Sequence, residues 1–486
     1  MPHSLIVEQT LARLKSQPVR HLIDGQLADS ERHFGVINPA TASEFAQCPM
    51  ASKEQLDLAV AAARRAQPAW AAFSYMQRRD YLLGLAETLR SNQEDLALLI
   101  TLEQGKPLIK ALQEVERAAA QTERLTSILL EPELLRENAH ERVELRYRPL
   151  GVVAAITPWN MPIVLSVPKI VHALYTGNTL VLKPSPYTPL ATLRLAGLVQ
   201  DLFPAGVLNV LAGGDDFGQW MSEHKDIDKI SFTGSVNTGK RVMQSSARNL
   251  KRLTLELGGN DAAIVLDDVD PMEIAPKLFA AAFVNSGQVC MAIKRLYVQD
   301  GVYQRMVDAL AELARNARVG DGLMPGVEIG PVQNLAQYNI VKEILDDARH
   351  LGARIVTGGC ALDRAGYFIE PTIVSDIAEG TRLVDEEPFG PVLPVIRFTD
   401  VAEAVRRAND SKLGLGGSVW SRDVQRAAEI ATQLEVGTAW VNHHVGADAY
   451  VPFGGAKQSG IGREYGKYGL LQYMETTAVF SKPAPN

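Results

Sequence analysis

The sequence predicts an α/β fold: two doubly wound-type α/β domains in succession, with a small β-ribbon attached. Three observations predict it. From Val152 onward, short apolar runs of strand length alternate with longer helical runs, the pattern of a parallel sheet covered on both faces. A second series of the same kind opens at Ala262. The chain has 486 residues, too many for one simple core.

The elements follow in order. Ahead of Arg20 the chain reads as a short helix, then as extended pieces around Arg20–Ile23 and Gly35–Ile37. Ser52–Arg65 and Met76–Ile100 read as amphipathic helices, with Ser52 and Ser74 as caps. Thr101-Leu-Glu-Gln-Gly-Lys-Pro107 ends the second, and another helix spans Leu108–Leu130. In the first α/β series, Val152–Ile156, Thr179–Leu182, Leu208–Leu211, Lys229–Phe232 and Arg252–Leu255 are strands. Met161–Tyr175 and Pro189–Leu202 are helices between the first of them. The second series runs through Ala262–Leu266, Val392–Phe398, Gly417–Val419 and Thr438–Val441, with the join near Glu256–Asp261. Arg142–Tyr147 and Gln472–Phe480 alternate like exposed strands, the form of an interface between subunits.

Composition excludes several roles. With 46% hydrophobic and 22% charged residues, the chain is expected to be soluble and globular. Lys+Arg 49 against Asp+Glu 56 leaves −7 with no dense basic run, which argues against a nucleic-acid partner. The most apolar window, Gly151–Leu182, is broken by Pro158, Asn160, Pro162, Pro168 and Lys169. No uninterrupted run of about 18 apolar residues remains, so no membrane is expected. Met1–Glu8 lacks a basic start and is not read as a signal peptide. Three scattered cysteines, Cys48, Cys290 and Cys360, suit neither a disulfide framework nor a metal site and point to the cytoplasm.

Chemistry concentrates in a few segments. In Phe283-Val-Asn-Ser-Gly-Gln-Val-Cys290 a cysteine follows a helical run that ends at a glycine. Its thiolate would be a strong nucleophile toward a carbonyl. In Leu253-Thr-Leu-Glu-Leu-Gly-Gly259 the alternation turns Glu256 away from Leu253, Leu255 and Leu257, and the glycines let the backbone bend. A carboxylate near apolar walls is raised toward neutrality and suits a general base. A Cys that attacks and a Glu that handles water can make and hydrolyse a thioester. Asn160, in Pro158-Trp-Asn-Met-Pro162, offers an amide to a developing oxyanion. Ile230-Ser-Phe-Thr-Gly-Ser-Val-Asn-Thr-Gly-Lys240 reads as strand, glycine turn and helix start, which presents N–H groups to a phosphate. It nearly matches a nucleotide-triphosphate loop, but Arg241 stands where a metal-binding Ser or Thr belongs.

These segments, with Glu386-Glu-Pro-Phe-Gly-Pro391, Pro452-Phe-Gly-Gly-Ala-Lys457 and Ser459-Gly-Ile-Gly-Arg-Glu464, resemble the aldehyde dehydrogenase superfamily along nearly the whole chain. Ile37-Asn-Pro-Ala-Thr41, Glu103-Gln-Gly-Lys-Pro107 and Pro149-Leu-Gly-Val152 match it too. The resemblance implies Cys290 as nucleophile, Glu256 as base, and Asn160 with the Cys290 N–H as oxyanion hole. It implies Lys169 and Glu464 as a proton relay. It implies a nicotinamide cofactor held by Ile156, Trp159, Lys183, Ser185, Gly234, Ser235, Gly239, Leu257, Glu387 and Phe389. Pro186 stands where many NAD-preferring relatives carry a Glu, so NAD and NADP both stay open. Thr477 replaces a frequent Lys.

By the same resemblance, 1–130 and 150–256 form the cofactor-binding domain and 257–460 the catalytic domain. Residues 131–149 and 470–486 form an oligomerisation ribbon, giving a homodimer or homotetramer. The implied reaction is oxidation of a small-molecule aldehyde to the acid through a thiohemiacetal and a thioester hydrolysed by water. Matching positions line the substrate pocket with Met161, Leu165, Val289, Met291 and Phe453. All are apolar and none is an Arg, which favours an apolar aliphatic or aromatic aldehyde. A coenzyme A-acylating relative would share Cys290, but such enzymes typically lack the Glu at position 256. A non-catalytic protein on this fold would be expected to lose Cys290, Glu256 or Asn160.

Overall fold

Val152–Ile156 and Lys229–Thr233 lie side by side and parallel in an eight-stranded sheet, although the chain leaves the first for two other strands before returning to the second. This is seen in a computed structural model that describes residues 18–482 together with Ala12 and Ser16. The helix expected ahead of Arg20 falls in the stretch outside the described residues.

Across the first sheet the strands run Gln26–Ala28, His21–Ile23, Leu208–Val210, Thr179–Lys183, Val152–Ile156, Lys229–Thr233, Arg252–Glu256 and Gly460–Ile461. The five central strands are parallel and the edge pairings antiparallel. Val152–Ile156 is a continuous apolar run because both its faces are covered, whereas Lys229–Thr233 and Arg252–Glu256 alternate with polar residues. Val153 and Ala155 enter one core; Val152, Ala154 and Ile156 enter the other. The second sheet has seven strands, ordered Arg354–Thr357, Thr372–Ser375, Val392–Phe398, Ile293–Gln299, Asp261–Val265, Gly416–Trp420 and Thr438–Val441. It is parallel except at its first pair. Ala262 and Ile264 face one core there, Ala263 and Val265 the other.

Ser52 and Ser74 cap their helices as expected, each in a capping box with Gln55 or Gln77. The helix expected over Met76–Ile100 is two helices, Tyr75–Ser91 and Gln93–Gln104. The break is Asn92, which leaves helical geometry at φ −120 and ψ 21 while its side chain takes the Thr88 carbonyl. The helix expected over Leu108–Leu130 stops at Leu125, and that over Pro189–Leu202 covers Leu190–Leu198. The strands Ser43–Met50, Ile293–Gln299, Arg354–Thr357 and Thr372–Ser375 add to those the sequence suggests.

The ribbon has three antiparallel strands: Met474–Ser481 against Arg142–Pro149, and that against Glu133–Glu137. Leu134, Leu135 and Phe480 on it are exposed. No helix among the described residues is long and apolar enough to cross a membrane.

Candidate active site

The turn carrying Cys290 is built by a forced backbone. Helix Pro271–Phe283 ends, and Asn285, Ser286 and Gly287 follow at φ 52, 58 and 75. Left-handed non-glycine residues cost of order 1 kcal/mol or more and persist only where neighbours over-determine them. Here Ser286 Oγ donates to the Gly330 carbonyl at 2.9 Å, and Gln288 Oε1 accepts the Gln333 N–H at 2.8 Å. A Cβ on Gly287 would lie 2.0 Å from the Gly390 carbonyl oxygen, so only glycine lets Glu387–Pro391 press against this turn. Cys290 keeps partial exposure, whereas Cys48 is buried.

Asn160 sits between strand Val152–Ile156 and helix Pro162–Tyr175. Its Nδ2 donates to the Gln288 carbonyl at 2.9 Å, and its own carbonyl accepts from Asn285 Nδ2 and Lys106 Nζ at 3.0 Å each. Lys106 pairs with Glu114, both buried, and Glu114 Oε1 takes the Ile163 and Val164 N–H groups at 3.0 and 3.2 Å. A carboxylate thus caps the first turn of the helix after Asn160.

Glu256 ends its strand, 5% exposed, and neither carboxyl oxygen has a partner among the described residues. Burial, with the nearby Glu464 charge, raises its carboxyl well above the ordinary value; Lys169 and Arg463 pull the other way. Three residues on, a Cβ at Gly259 would meet the Cys290 carbonyl oxygen at 2.5 Å. That approach brings the segments bearing Glu256 and Cys290 together. The Cys290 thiol is pushed up to about 12 by burial; Lys294 draws it down, while Glu387, Asp261 and Glu256 push it up.

Lys169 is fully buried and pairs with Glu464; its Nζ also donates to Ser231 Oγ at 2.9 Å. Burial disfavours the Glu464 charge, but Lys169, His172 and Ser231 outweigh it and hold the carboxyl below its usual range. Register places Ser231 opposite Thr254 and Thr233 opposite Glu256, so these groups share one face of the sheet. Lys229 continues that face. Fully buried, it donates to Thr254 Oγ1 at 2.7 Å and lies 4.7 Å from the Tyr473 ring centroid.

At the carboxyl ends of the first sheet a cleft of about 500 Å³ opens, where the strand order reverses. Such switch points are where doubly wound sheets bind ligands. Ile156 and Lys183 line it with Phe232, Thr238 and Val242. Lys183 is buried and drawn down to about 8 by burial, with Asp215 opposing. Ser235 caps helix Val236–Ser246, whose Gly239 follows Thr238, and the Gly234 N–H donates to the Glu256 carbonyl at 3.0 Å. Ser185 is buried and accepts the Tyr187 N–H at 3.3 Å, and Leu257 is buried with its N–H on the Ser459 carbonyl. The Trp159 and Phe389 rings meet edge to face at 5.3 Å, and the Gly259 N–H reaches Glu387 Oε1 at 3.4 Å.

Met161, Leu165, Met291 and Cys290 pack against the extended apolar core that also includes Phe453. Val289 is buried outside that cluster. Sequence reasoning missed Lys294, Lys106 and Glu114, which brace the segments on which Cys290 and Asn160 sit. Lys106 lies in the matching segment Glu103–Pro107, which assigns it no role, and an isolated Lys or Glu such as Lys294 or Glu114 reads as surface.

Residues 27–479 match the family model described as the aldehyde dehydrogenase family. The chain is 38% identical to succinate-semialdehyde dehydrogenase [NADP(+)] GabD of Escherichia coli, covering 93% of this chain and 96% of that one. It is 39% identical to phenylacetaldehyde dehydrogenase of Pseudomonas fluorescens over 99% of each. The NAD+ complex of an aldehyde dehydrogenase from Bacillus cereus superposes with a TM-score of 0.95, at 35% identity and 99% coverage of both chains. Matches of this extent, on a chain that folds as those enzymes do, establish that it belongs to the aldehyde dehydrogenase family.

Proposed function

We propose that this chain oxidises an apolar aliphatic or aromatic aldehyde to its carboxylic acid, with Cys290 as nucleophile and Glu256 as general base. The observation that carries this reading is Glu256 itself. It is a buried carboxyl with both oxygens unpartnered, on a segment packed against the turn of Cys290.

Cys290 Sγ adds to the carbonyl carbon and the oxygen becomes an oxyanion. The Asn160 amide, which spends one N–H on Gln288, has its second for that oxygen, and the Cys290 N–H supplies another. A nicotinamide, when bound, supplies the two-electron oxidation that turns the thiohemiacetal into a thioester. Glu256 then takes a proton from water as the water oxygen attacks the acyl carbon. The C–S bond breaks and the acid leaves. Lys169 and Glu464 carry the proton onward from Glu256.

The residues present fit such a cofactor. The cleft joins a buried cation, Lys183, to the first turn of helix Val236–Ser246, whose leading N–H groups have no partner within the helix. Ser185, Gly234, Ser235 and Gly239 would hold the phosphate and ribose end. Glu387, Phe389, Trp159, Ile156 and Leu257 would hold the nicotinamide end. On this reading 1–130 and 150–256 serve the cofactor, and 257–460 the chemistry. The ribbon of 131–149 and 470–486 would join subunits through exposed Leu134, Leu135 and Phe480. Three free cysteines suit a cytoplasmic enzyme.

The substrate test is a chain-length series from acetaldehyde to hexanal, with NAD+ and NADP+ in parallel. kcat/KM should rise roughly threefold or more per methylene. A flat series, or a preference for succinate semialdehyde, would sink the apolar-substrate reading.

A further inference from the structure

Lys294 lies four residues after Cys290, at the start of strand Ile293–Gln299. It is 1% exposed, so its ammonium must find its partners inside the protein. The side chain folds back onto the turn it has just left. Its Nζ donates to the carbonyl oxygens of Val289 at 2.6 Å, Cys290 at 3.2 Å and Ala292 at 3.4 Å. Glu387 Oε1 is 3.5 Å away, and the Phe389 ring centroid 5.8 Å. One cation therefore closes the backbone turn that presents the sulfur.

The charges around that sulfur make the placement matter. Glu387 follows helix Arg382–Asp385, Asp261 opens strand Asp261–Val265, and Glu256 ends strand Arg252–Glu256; all three are carboxyl groups acting on Cys290. Asp261 has His444 Nε2 at 3.6 Å. Lys294 is the cation that acts on the thiol from within this ring.

We propose that Lys294 is a positioning residue that holds the Cys290 turn in place and supplies the positive charge against which the thiolate forms. The step is a simple deprotonation. The Cys290 S–H bond breaks, the sulfur keeps the electron pair, and the proton passes to water. Glu387 competes for the same ammonium, so the two side chains act on the thiol in opposite directions. The inference rests on reading Cys290 as the nucleophile.

The test is the pH dependence of iodoacetamide alkylation at Cys290 in the purified chain without cofactor. It is read peptide by peptide, because exposed Cys360 also reacts. K294M removes both charge and donors; K294Q keeps N–H donors for the carbonyls and loses only the charge. Both should raise the alkylation inflection by about one pH unit or more, which is about tenfold slower reaction at a fixed pH below it. E387Q should lower it. An unchanged inflection in K294Q, with its melting temperature close to wild type, would overturn the proposal. So would a rise in E387Q. A C290A chain that still turned over aldehyde would overturn the nucleophile reading instead, whatever Lys294 does.

Discussion

Asn160 Nδ2 donates to the carbonyl oxygen of Gln288 at 2.9 Å, two residues ahead of Cys290. A single amide thereby ties the end of the first sheet to the turn that presents the thiol, and in the proposed reaction its second N–H serves the oxyanion. Replacing Asn160 with Ala removes both functions. kcat should fall about 10²- to 10³-fold, and the loss should appear in the acylation step of a single-turnover experiment.

Gly287 combines a φ of 75 with the Gly390 carbonyl at 2.0 Å from any added Cβ. G287A must therefore strain the backbone and push back the Glu387–Pro391 segment. A melting-temperature loss equivalent to about 2 kcal/mol or more is expected, together with loss of turnover. Wild-type activity in G287A would mean that the turn is not held as described.

Lys169 lowers the Glu256 carboxyl and Glu464 raises it. The acid limb of thioester hydrolysis should already lie above the ordinary carboxylate range. In K169M it should move further up, because the cation is lost and Glu464 remains. Removing one partner of a buried pair should also cost about 3–5 kcal/mol in denaturant unfolding. A limb that stays in place would separate Lys169 from the base.

Lys229 is drawn from 10.5 down to about 7, by burial first and then by Lys169; Glu464 opposes, and Arg252 adds to the lowering. The unfolded chain therefore binds more protons between those values. The burial penalty is fully present below about 7 and is relieved as pH rises toward 10.5. Wild-type stability should gain up to about 4 kcal/mol from this group across that window, and K229M should lack the gain. Parallel pH–stability curves for the two proteins would contradict it.

Much of this architecture was legible in the sequence for physical reasons. Val152–Ile156 is recognisable because a parallel strand covered on both faces can be an unbroken apolar run, and Lys229–Thr233 because Ile230 and Phe232 alternate with polar positions. Ser52 and Ser74 declare helix starts because their side chains replace missing intrahelical partners. Ile293–Gln299 was hidden because Lys294 and Arg295 break its apolar run, although both are buried against carbonyl oxygens. Asn92 was invisible as a break because the apolar period continues through it. Around the candidate site, Cys290, Glu256 and Asn160 stood out through their local motifs. The supports Lys106, Glu114 and Lys294 take their meaning from partners far along the chain or from a backbone turn, which periodicity does not encode.

E256Q separates the work of Cys290 from that of Glu256. With hexanal and excess oxidised cofactor, rapid mixing should give a stoichiometric burst of reduced nicotinamide followed by almost no steady state, because the thioester forms and water is not activated. A steady-state rate near wild type, or a burst that vanishes while Cys290 still alkylates normally, would contradict the assignment.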